Sequence, residues 1–155
     1  MQTPAFLYYN LQMNFETILS KYDVLVGYVP LADEIDFRHL DLFKTDTYNI
    51  LTIPSNVQLD PFVLAKKYTI INNKKNTFII IPGACFDLFG NRKGRGGGWY
   101  DRFLSAIPKE WLRIGIINES KLSLIKLKTN PWDEPVDWII SVGQLVKFYE
   151  TLARK

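Results

Sequence analysis

The chain has 155 residues, the length of one typical domain, and its 19 basic and 16 acidic side chains leave a net charge of only +3. This small excess does not argue for a nucleic-acid partner, and the 47% of hydrophobic residues is typical of a globular protein rather than a disordered one. A single cysteine excludes an intramolecular disulfide and no apolar run is long enough for a membrane span, so we expect a soluble, cytoplasmic protein without a membrane partner.

The first third of the chain predicts strands separated by helices. Apolar residues at helical spacing predict a helix over residues 15–22. Runs of β-branched and apolar residues predict strands over residues 23–29 and 48–53, each followed by a proline. Between these strands, acidic residues favour a helix start and predict a helix over residues 33–43.

The middle of the chain begins with Asp60-Pro61, which is typical of an N-cap followed by the first helical residue and predicts a helix over residues 60–66. A strand is predicted over residues 68–71 and a polar turn over residues 72–76. The apolar run at residues 77–81 is typical of a strand buried in a parallel sheet.

The last part of the chain starts with a long loop over residues 82–98. A helix over 99–106 and strands over 112–117 and 136–142 follow, and apolar spacing predicts a closing helix over 143–152.

Strands alternating with helices predict an α/β fold, a three-layer sandwich with a mainly parallel, Rossmann-like sheet. We expect one domain over residues 1–155, with the strands at 23–29 and 77–81 in the centre of the sheet because of their apolar, β-branched composition.

The most informative segment covers residues 81–104, where glycines alternate with Arg92, Lys93 and Arg95. Glycine lets a ligand approach the backbone closely, consecutive amides can point at an anion, and the helix expected from Trp99 adds its positive end. This pattern indicates a phosphate-binding loop, although it is neither a Walker A loop nor the GxGxxG fingerprint. The alternative is a flexible basic loop that binds nothing.

Asp101 falls in the first turn of the helix after the glycines. A carboxylate beside phosphates makes sense as a ligand of Mg²⁺, which takes few protein carboxylates together with phosphate oxygens. The alternative is that Asp101 only complements the helix dipole, an effect of ~0.3–1 kcal/mol.

Residues 82–102 have the pattern PGxxFDxxGxRxGxGxGxYDR, which resembles the signature of the 5-formyltetrahydrofolate cyclo-ligase family, also called methenyltetrahydrofolate synthetase. Trp99 stands where the family usually has tyrosine. The resemblance implies Mg²⁺ binding at Asp101, and catalytic roles for Arg92, Tyr100 and Asp101. It implies an ATP-binding loop made of Arg92, Lys93, Gly94, Arg95, Gly96, Gly97, Gly98, Trp99 and Tyr100.

Two further blocks resemble the same family. In residues 133–140 (DEPVDWII), the resemblance implies that Asp133 is a second Mg²⁺ aspartate, whereas from residue type alone Asp133 begins a turn before Pro135. In residues 28–36 (YVPLADEID), the resemblance implies that Glu34 contacts the folate, whereas from residue type alone it is a charge at a helix N-terminus.

The resemblance implies ATP- and Mg²⁺-dependent conversion of 5-formyltetrahydrofolate to 5,10-methenyltetrahydrofolate by a monomer, with a dimer as the alternative. It also implies that the partners are a reduced folate and ATP, and that Val29, Glu34 and Trp99 bind the substrate. Trp99 and Tyr100 would stack on the pterin or, equally, pack against the sheet.

The chain departs from the family at two places and is expected to be a shortened member. The first 14 residues contain no lysine or arginine, where the family has a basic helix, and residues 55–75 lack the family's Glu-Pro dipeptide. The alternative function is therefore a catalytically impaired relative that keeps nucleotide binding. A nucleic-acid-binding module is the remaining alternative, but it requires basic residues spread over one face rather than concentrated in one loop.

Overall fold

The computed structural model of the protein describes residues 5–44, 48–55 and 58–155. Residues 1–4 and 56–57, which belong to the two segments where the sequence departs from the family, lie outside the described residues. The helices and strands of the described part are, in chain order, α1 (Ala5–Leu19), β1 (Val24–Tyr28), β2 (Asn49–Ile53), α2 (Pro61–Ile71), β3 (Thr77–Ile81), β4 (Cys85–Asp87), β5 (Arg92–Lys93), α3 (Trp99–Ala106), β6 (Leu112–Asn118), β7 (Leu122–Ser123), β8 (Trp138–Val142) and β9 (Val146–Glu150).

Six strands form the central sheet in the order β2-β1-β3-β6-β8-β9, and all neighbours are parallel except β8 and β9. This confirms the predicted α/β class with a mainly parallel sheet and the interior position of β1 and β3. The chain leaves β1 on one side to form β2 and returns on the other side to form β3. In open α/β sheets, ligands bind beyond the carboxyl ends of the strands at such a reversal.

Two apolar layers cover the sheet. In β3, Phe78 and Ile80 face the layer that contains α1, while Ile79 and Ile81 face the layer that contains α2 and α3. All residues of β3 are buried because both faces are covered, which explains why its sequence is apolar without polar alternation. No helix in residues 5–44, 48–55 or 58–155 is long and apolar enough to cross a membrane.

A small second sheet has the order β5-β4-β7, and two of its strands, β4 and β5, lie within the predicted loop over residues 82–98. Asp87 holds this sheet together, because its buried carboxylate accepts hydrogen bonds from the amides of Phe89, Asn91 and Leu127, and from the side chain of Asn91. The predicted long loop therefore begins with an antiparallel hairpin, and the glycines at residues 94–98 follow it.

Gly115 in β6 packs directly against that hairpin, and we expect Gly115→Ala to destabilise the protein. A Cβ at Gly115 would lie 2.5 and 2.6 Å from two ring atoms of Phe86, which is fully buried. Overpacking of this kind costs ~1–3 kcal/mol. Urea unfolding measures the loss, with Gly97→Ala as the control, because a Cβ at Gly97 meets nothing within 4 Å. Equal stability of the two variants would contradict the packing argument.

The helix predicted over residues 33–43 is wrong. Two short 3₁₀ turns, Phe37–His39 and Asp41–Phe43, stand in its place, and Leu40 between them has an extended backbone. The Tyr28 hydroxyl donates a hydrogen bond to the Ile35 carbonyl, which is one of the groups that a continuous helix would use itself.

The strand predicted over residues 68–71 is also wrong, because α2 continues to Ile71. The predicted cap is confirmed: the Asp60 carboxylate accepts hydrogen bonds from the amides of Phe62 and Val63. The last residues of α2 resemble a strand because β-branched residues lie on its exposed face, while Tyr68 points inward and its hydroxyl donates to the Thr52 carbonyl at 2.6 Å.

At both ends of the chain the predicted helices differ from the structure. The first helix is α1, which begins earlier than residue 15 and ends at Leu19. The closing helix over residues 143–152 is wrong, since β9 pairs antiparallel with β8 there. Phe148 is buried in the α1 layer, with its ring centroid 5.1 Å from that of Phe15, and Tyr149 packs in the opposite layer. Successive side chains therefore face opposite sides of the sheet, as in a strand and not as in a helix.

Candidate functional site

A cleft of about 810 Å³ opens beyond the carboxyl ends of β1, β2 and β3. Val29 follows β1, Pro54 follows β2, and Pro82 and Gly83 follow β3, and all four line the cleft. The cleft therefore lies at the reversal of strand order, where the topology favours ligand binding.

The residues to which the sequence assigns a site role all line this one cleft. They come from the β1–β2 connection, the glycine-rich segment, the start of α3 and the connection before β8. They are Val29, Glu34, Arg92, Lys93, Gly94, Arg95, Gly96, Gly97, Gly98, Trp99, Tyr100, Asp101 and Asp133. Their proximity is a fact of the fold, and their roles remain predictions.

The glycine-rich segment shapes the rim of the cleft between β5 and α3. Gly96 and Gly98 have φ angles of 104° and 66°, which a residue with a Cβ rarely adopts, and a Cβ at Gly96 or Gly97 would meet nothing within 4 Å. Gly98 begins α3 without any side-chain cap, and Arg102 closes the turn by donating to the Gly97 carbonyl at 2.9 Å. The first amides of α3 are therefore left for a ligand in the cleft.

Arg92 is the half-buried cation of the cleft. Its Nε donates to the Pro82 carbonyl at 2.7 Å, and its guanidinium carbon lies 4.9 Å from the centre of the Tyr100 ring. Burial lowers the pKa of Arg92, and the nearby negative charge of Asp101 opposes this effect. Among the described residues, neither Nη group of Arg92 has a hydrogen-bond partner, so the guanidinium presents free donors to an anion.

Arg95, on the same segment, is already paired. Its Nη2 lies 2.7 Å from the Asp33 carboxylate and its Nε lies 3.5 Å from that of Glu34. These contacts tie the glycine-rich segment to the connection that follows β1.

Glu34 does not begin a helix, so the predicted helix N-terminal charge is wrong. Its Oε1 instead accepts the amide of Leu31 at 2.8 Å and closes a turn, and its side chain is only 8% exposed. Glu34 nevertheless lines the cleft, beside Arg95.

Trp99 and Tyr100 form the aromatic wall. The Trp99 indole N–H donates to the Leu59 carbonyl at 2.7 Å, and its ring stacks on Phe103 with centroids 5.3 Å apart and an angle of 12°. Trp99 is therefore held mainly by packing. Burial raises the pKa of Tyr100, and the charge of Glu34 raises it further while Arg92 opposes, so the phenol stays protonated at neutral pH.

Asp101 and Asp133 line the same cleft although they are distant in sequence. The Asp101 Oδ1 accepts the amide of Glu134 at 3.0 Å, which fixes the segment that carries Asp133 against α3. The Asp133 carboxylate accepts the amide of Asn130 at 2.8 Å, so Asp133 closes a turn that begins at Asn130, and the turn predicted to begin at Asp133 is wrong. Burial raises the pKa of Asp101, and the negative charge of Asp133 adds to this effect while Arg92 opposes it.

This pair of carboxylates fits Mg²⁺ better than a metal that needs a full protein cage. Within the described ranges, no group of three or more His, Cys, Asp or Glu residues could hold a metal ion. Mg²⁺ requires only one or two carboxylates when phosphate oxygens and water complete its shell. A cation between Asp101 and Asp133 would also relieve the repulsion that helps to raise the pKa of Asp101.

Several residues on the walls of the cleft had no site role predicted from the sequence. Four of them belong to the connection between β7 and β8, where the sequence assigned a site role only to Asp133. The signal that would have helped is Asn130-Pro131, since proline favours the second position of a turn and presents the next side chain. The missed residues include Arg102, Leu127, Lys128, Asn130 and Trp132.

Comparisons with known proteins agree on one family. The model described as the 5-formyltetrahydrofolate cyclo-ligase family matches residues 27–142. The 5-formyltetrahydrofolate cyclo-ligase of Mycoplasma genitalium is 31% identical over 122 residues, which cover 77% of this chain and 72% of that protein.

Two solved structures share the fold. The 5,10-methenyltetrahydrofolate synthetase of Mycoplasma pneumoniae superposes with a TM-score of 0.59 at 18% identity, covering 88% of each chain. The synthetase of Aquifex aeolicus superposes with a TM-score of 0.58 at 19% identity, covering 99% of this chain and 86% of that one.

Proposed function

The chain belongs to the 5-formyltetrahydrofolate cyclo-ligase family, and from this premise we propose that it converts 5-formyltetrahydrofolate to 5,10-methenyltetrahydrofolate with ATP and Mg²⁺, as a step of one-carbon folate metabolism. The observation that carries the proposal is that a half-buried arginine, an open glycine-rich segment and two carboxylates line the same cleft. We also propose that residues 1–155 form one domain of this family and that it works in the cytoplasm.

The nucleotide side of the reaction falls to the glycine-rich segment. The free Nη groups of Arg92 and the uncapped amides at the start of α3 would bind the triphosphate. The open space around Gly96 and Gly97 supports a close approach of phosphate to the backbone. Arg95 would add charge once it leaves Asp33 and Glu34.

Asp101 and Asp133 would hold the Mg²⁺. When bound, Mg²⁺ would neutralise charge on the triphosphate oxygens. The residues themselves contribute by their placement, because the Glu134 amide orients the Asp101 carboxylate and the Asn130 amide orients that of Asp133.

The folate side of the reaction falls to Val29, Glu34 and Trp99, with Tyr100 between the two ligands. The formyl oxygen would attack the γ-phosphorus, so that ADP leaves and an O-phosphorylated, iminium-like intermediate forms. N10 would then attack the formyl carbon and lose its proton, and phosphate would leave with the former formyl oxygen. Tyr100, kept protonated by its raised pKa, would act as a hydrogen-bond donor and not as a base. Positioning and charge stabilisation supply the catalysis.

Absorbance of the methenyl product tests this function. Wild-type protein mixed with 5-formyltetrahydrofolate, ATP and Mg²⁺ should form it, and omission of ATP should stop its formation. ATP binding without product formation would instead favour the alternative function, a catalytically impaired relative that keeps nucleotide binding. The absence of lysine and arginine from residues 1–14 supports that alternative. Failure to bind either ligand would contradict both readings.

A further inference from the structure

Trp132 lies on the cleft in a way that packing does not explain. Its side chain lines the cleft and is 69% exposed, whereas Trp111 and Trp138 are 3% and 2% exposed. Trp99, the other tryptophan on the cleft, has its indole N–H bonded to Leu59 and one ring face covered by Phe103. Trp132 is therefore the indole on this cleft that leaves most of its ring available to a ligand.

The backbone beneath Trp132 is held in place. Asn130 and Asp133 enclose Pro131 and Trp132 in a turn, in which the Asp133 amide donates to the Asn130 carbonyl at 3.0 Å and the Asn130 amide donates to the Asp133 carboxylate at 2.8 Å. Proline in the second position presets this turn. The next residue, Glu134, donates its amide to Asp101 at 3.0 Å, which anchors the turn to α3. A ring presented from an anchored turn loses little backbone entropy when it binds a ligand.

The position of Trp132 indicates which of the two proposed ligands, the nucleotide or the folate, its ring would contact. It is the neighbour of Asp133, one of the two carboxylates assigned above to the metal of the nucleotide, and it enters from the connection between β7 and β8. Two of the three residues assigned to the folate, Val29 and Glu34, enter from the opposite part of the sheet, after β1, while the third, Trp99, lies at the start of α3. A ligand ring that stacks on the Trp132 indole would thus belong to the nucleotide and not to the folate.

We propose that Trp132 stacks on the base of the bound nucleotide and contributes to its affinity and specificity, an inference that rests on the function proposed above. Stacking of a base on an aromatic side chain changes affinity about 5- to 150-fold on alanine substitution, which corresponds to ~1–3 kcal/mol at ~1.4 kcal/mol per tenfold.

Calorimetric titration with ATP and with inorganic tripolyphosphate, both with Mg²⁺, separates the base from the phosphates. Trp132→Ala should weaken ATP binding about 5- to 150-fold and leave tripolyphosphate binding unchanged, and Trp132→Phe should retain most of the ATP affinity. Because Trp132 is exposed, all variants should melt like the wild type. Phe89→Ala is the matched control, since Phe89 is 55% exposed and does not line the cleft.

Unchanged ATP affinity in Trp132→Ala, with normal wild-type turnover, would overturn this inference alone. Weakened 5-formyltetrahydrofolate binding with unchanged ATP binding would also overturn it, because the ring on Trp132 would then be the pterin. A wild-type protein that binds neither ATP nor tripolyphosphate would overturn the proposed function together with this inference.

Discussion

Asp101→Asn should abolish Mg²⁺-dependent turnover while leaving the fold intact. The asparagine oxygen can still accept the Glu134 amide that Asp101 accepts at 3.0 Å, so the turn that carries Asp133 should stay in place. A metal ligand needs the full negative charge, because Mg²⁺ prefers hard anionic oxygen. The measurement is ATP-dependent cyclisation across a Mg²⁺ titration, with thermal melts as the control for folding.

The pKa of Asp101 gives this variant a second, independent signature. Burial raises that pKa, so the folded carboxyl keeps its proton to a higher pH than the unfolded one, whose ordinary value is about 3.9. The Asp101 carboxyl therefore contributes stability that is fully present below its unfolded pKa and is lost as the pH rises through its raised folded pKa. Asparagine does not titrate, so the Tm of Asp101→Asn relative to the wild type should rise over the same interval. A relative Tm that falls would show that the ionised carboxylate stabilises the fold.

Asp133→Asn is the matched partner of this experiment. It should lower turnover in the same way but less severely if water replaces the carboxylate. Because both residues would serve one ion, the double variant should lose much less than the product of the two single effects. Normal Mg²⁺ dependence in Asp101→Asn would reduce that carboxylate to a helix-terminal charge and remove the metal from this position.

Arg92→Ala should weaken ATP binding about 10- to 150-fold, because charge-assisted hydrogen bonds contribute ~1.5–3 kcal/mol each and a tenfold change corresponds to ~1.4 kcal/mol. The free Nη groups of Arg92 point to this residue rather than to Arg95, which the structure pairs with Asp33 and Glu34. Isothermal titration with ATP measures the loss.

Arg95→Ala should have a smaller effect, since the nucleotide must compete with Asp33 and Glu34 for this guanidinium. Arg92→Lys tests geometry against charge: lysine keeps the charge but has no planar pair of donors, so it should recover only part of the affinity. Unchanged nucleotide affinity in both alanine variants would remove the glycine-rich segment from the site.

Much of the sheet could be predicted from the sequence because its strands are apolar on both faces. The run at β3 has no polar alternation, and the structure buries every residue of it. The start of α2 was equally readable, since Asp60 and Pro61 determine it locally. Local chemistry and burial agree at these positions, so no long-range information was needed.

The errors fall where tertiary contacts decide the structure. The hydrogen bond between Tyr28 and Ile35 joins residues that the sequence pattern treats separately, and the expected helix over 33–43 is lost there. β9 resembles a helix by spacing, and only its pairing with β8 makes Phe148 and Tyr149 face opposite layers. Neither contact leaves a local signal in the sequence.

The residues of the candidate site also divide into those that could be predicted from local sequence and those that could not. The sequence predicted that the glycine-rich segment belongs to the site, and the structure places it on the cleft with the other predicted residues, while anion binding there stays a prediction. The proximity of Asp101 and Asp133 followed only from the family resemblance, since nothing local relates them. Trp132 was missed because an exposed tryptophan in a turn looks ordinary until the fold places it on the cleft.

The proposed reaction couples phosphate release to ring closure, so the ratio of phosphate to methenyl product tests it most directly. With 5-formyltetrahydrofolate, ATP and Mg²⁺ all present, we expect about one phosphate for each methenyl group formed, and no phosphate when the folate is withheld. Phosphate release without folate, or product formation without phosphate release, would contradict it.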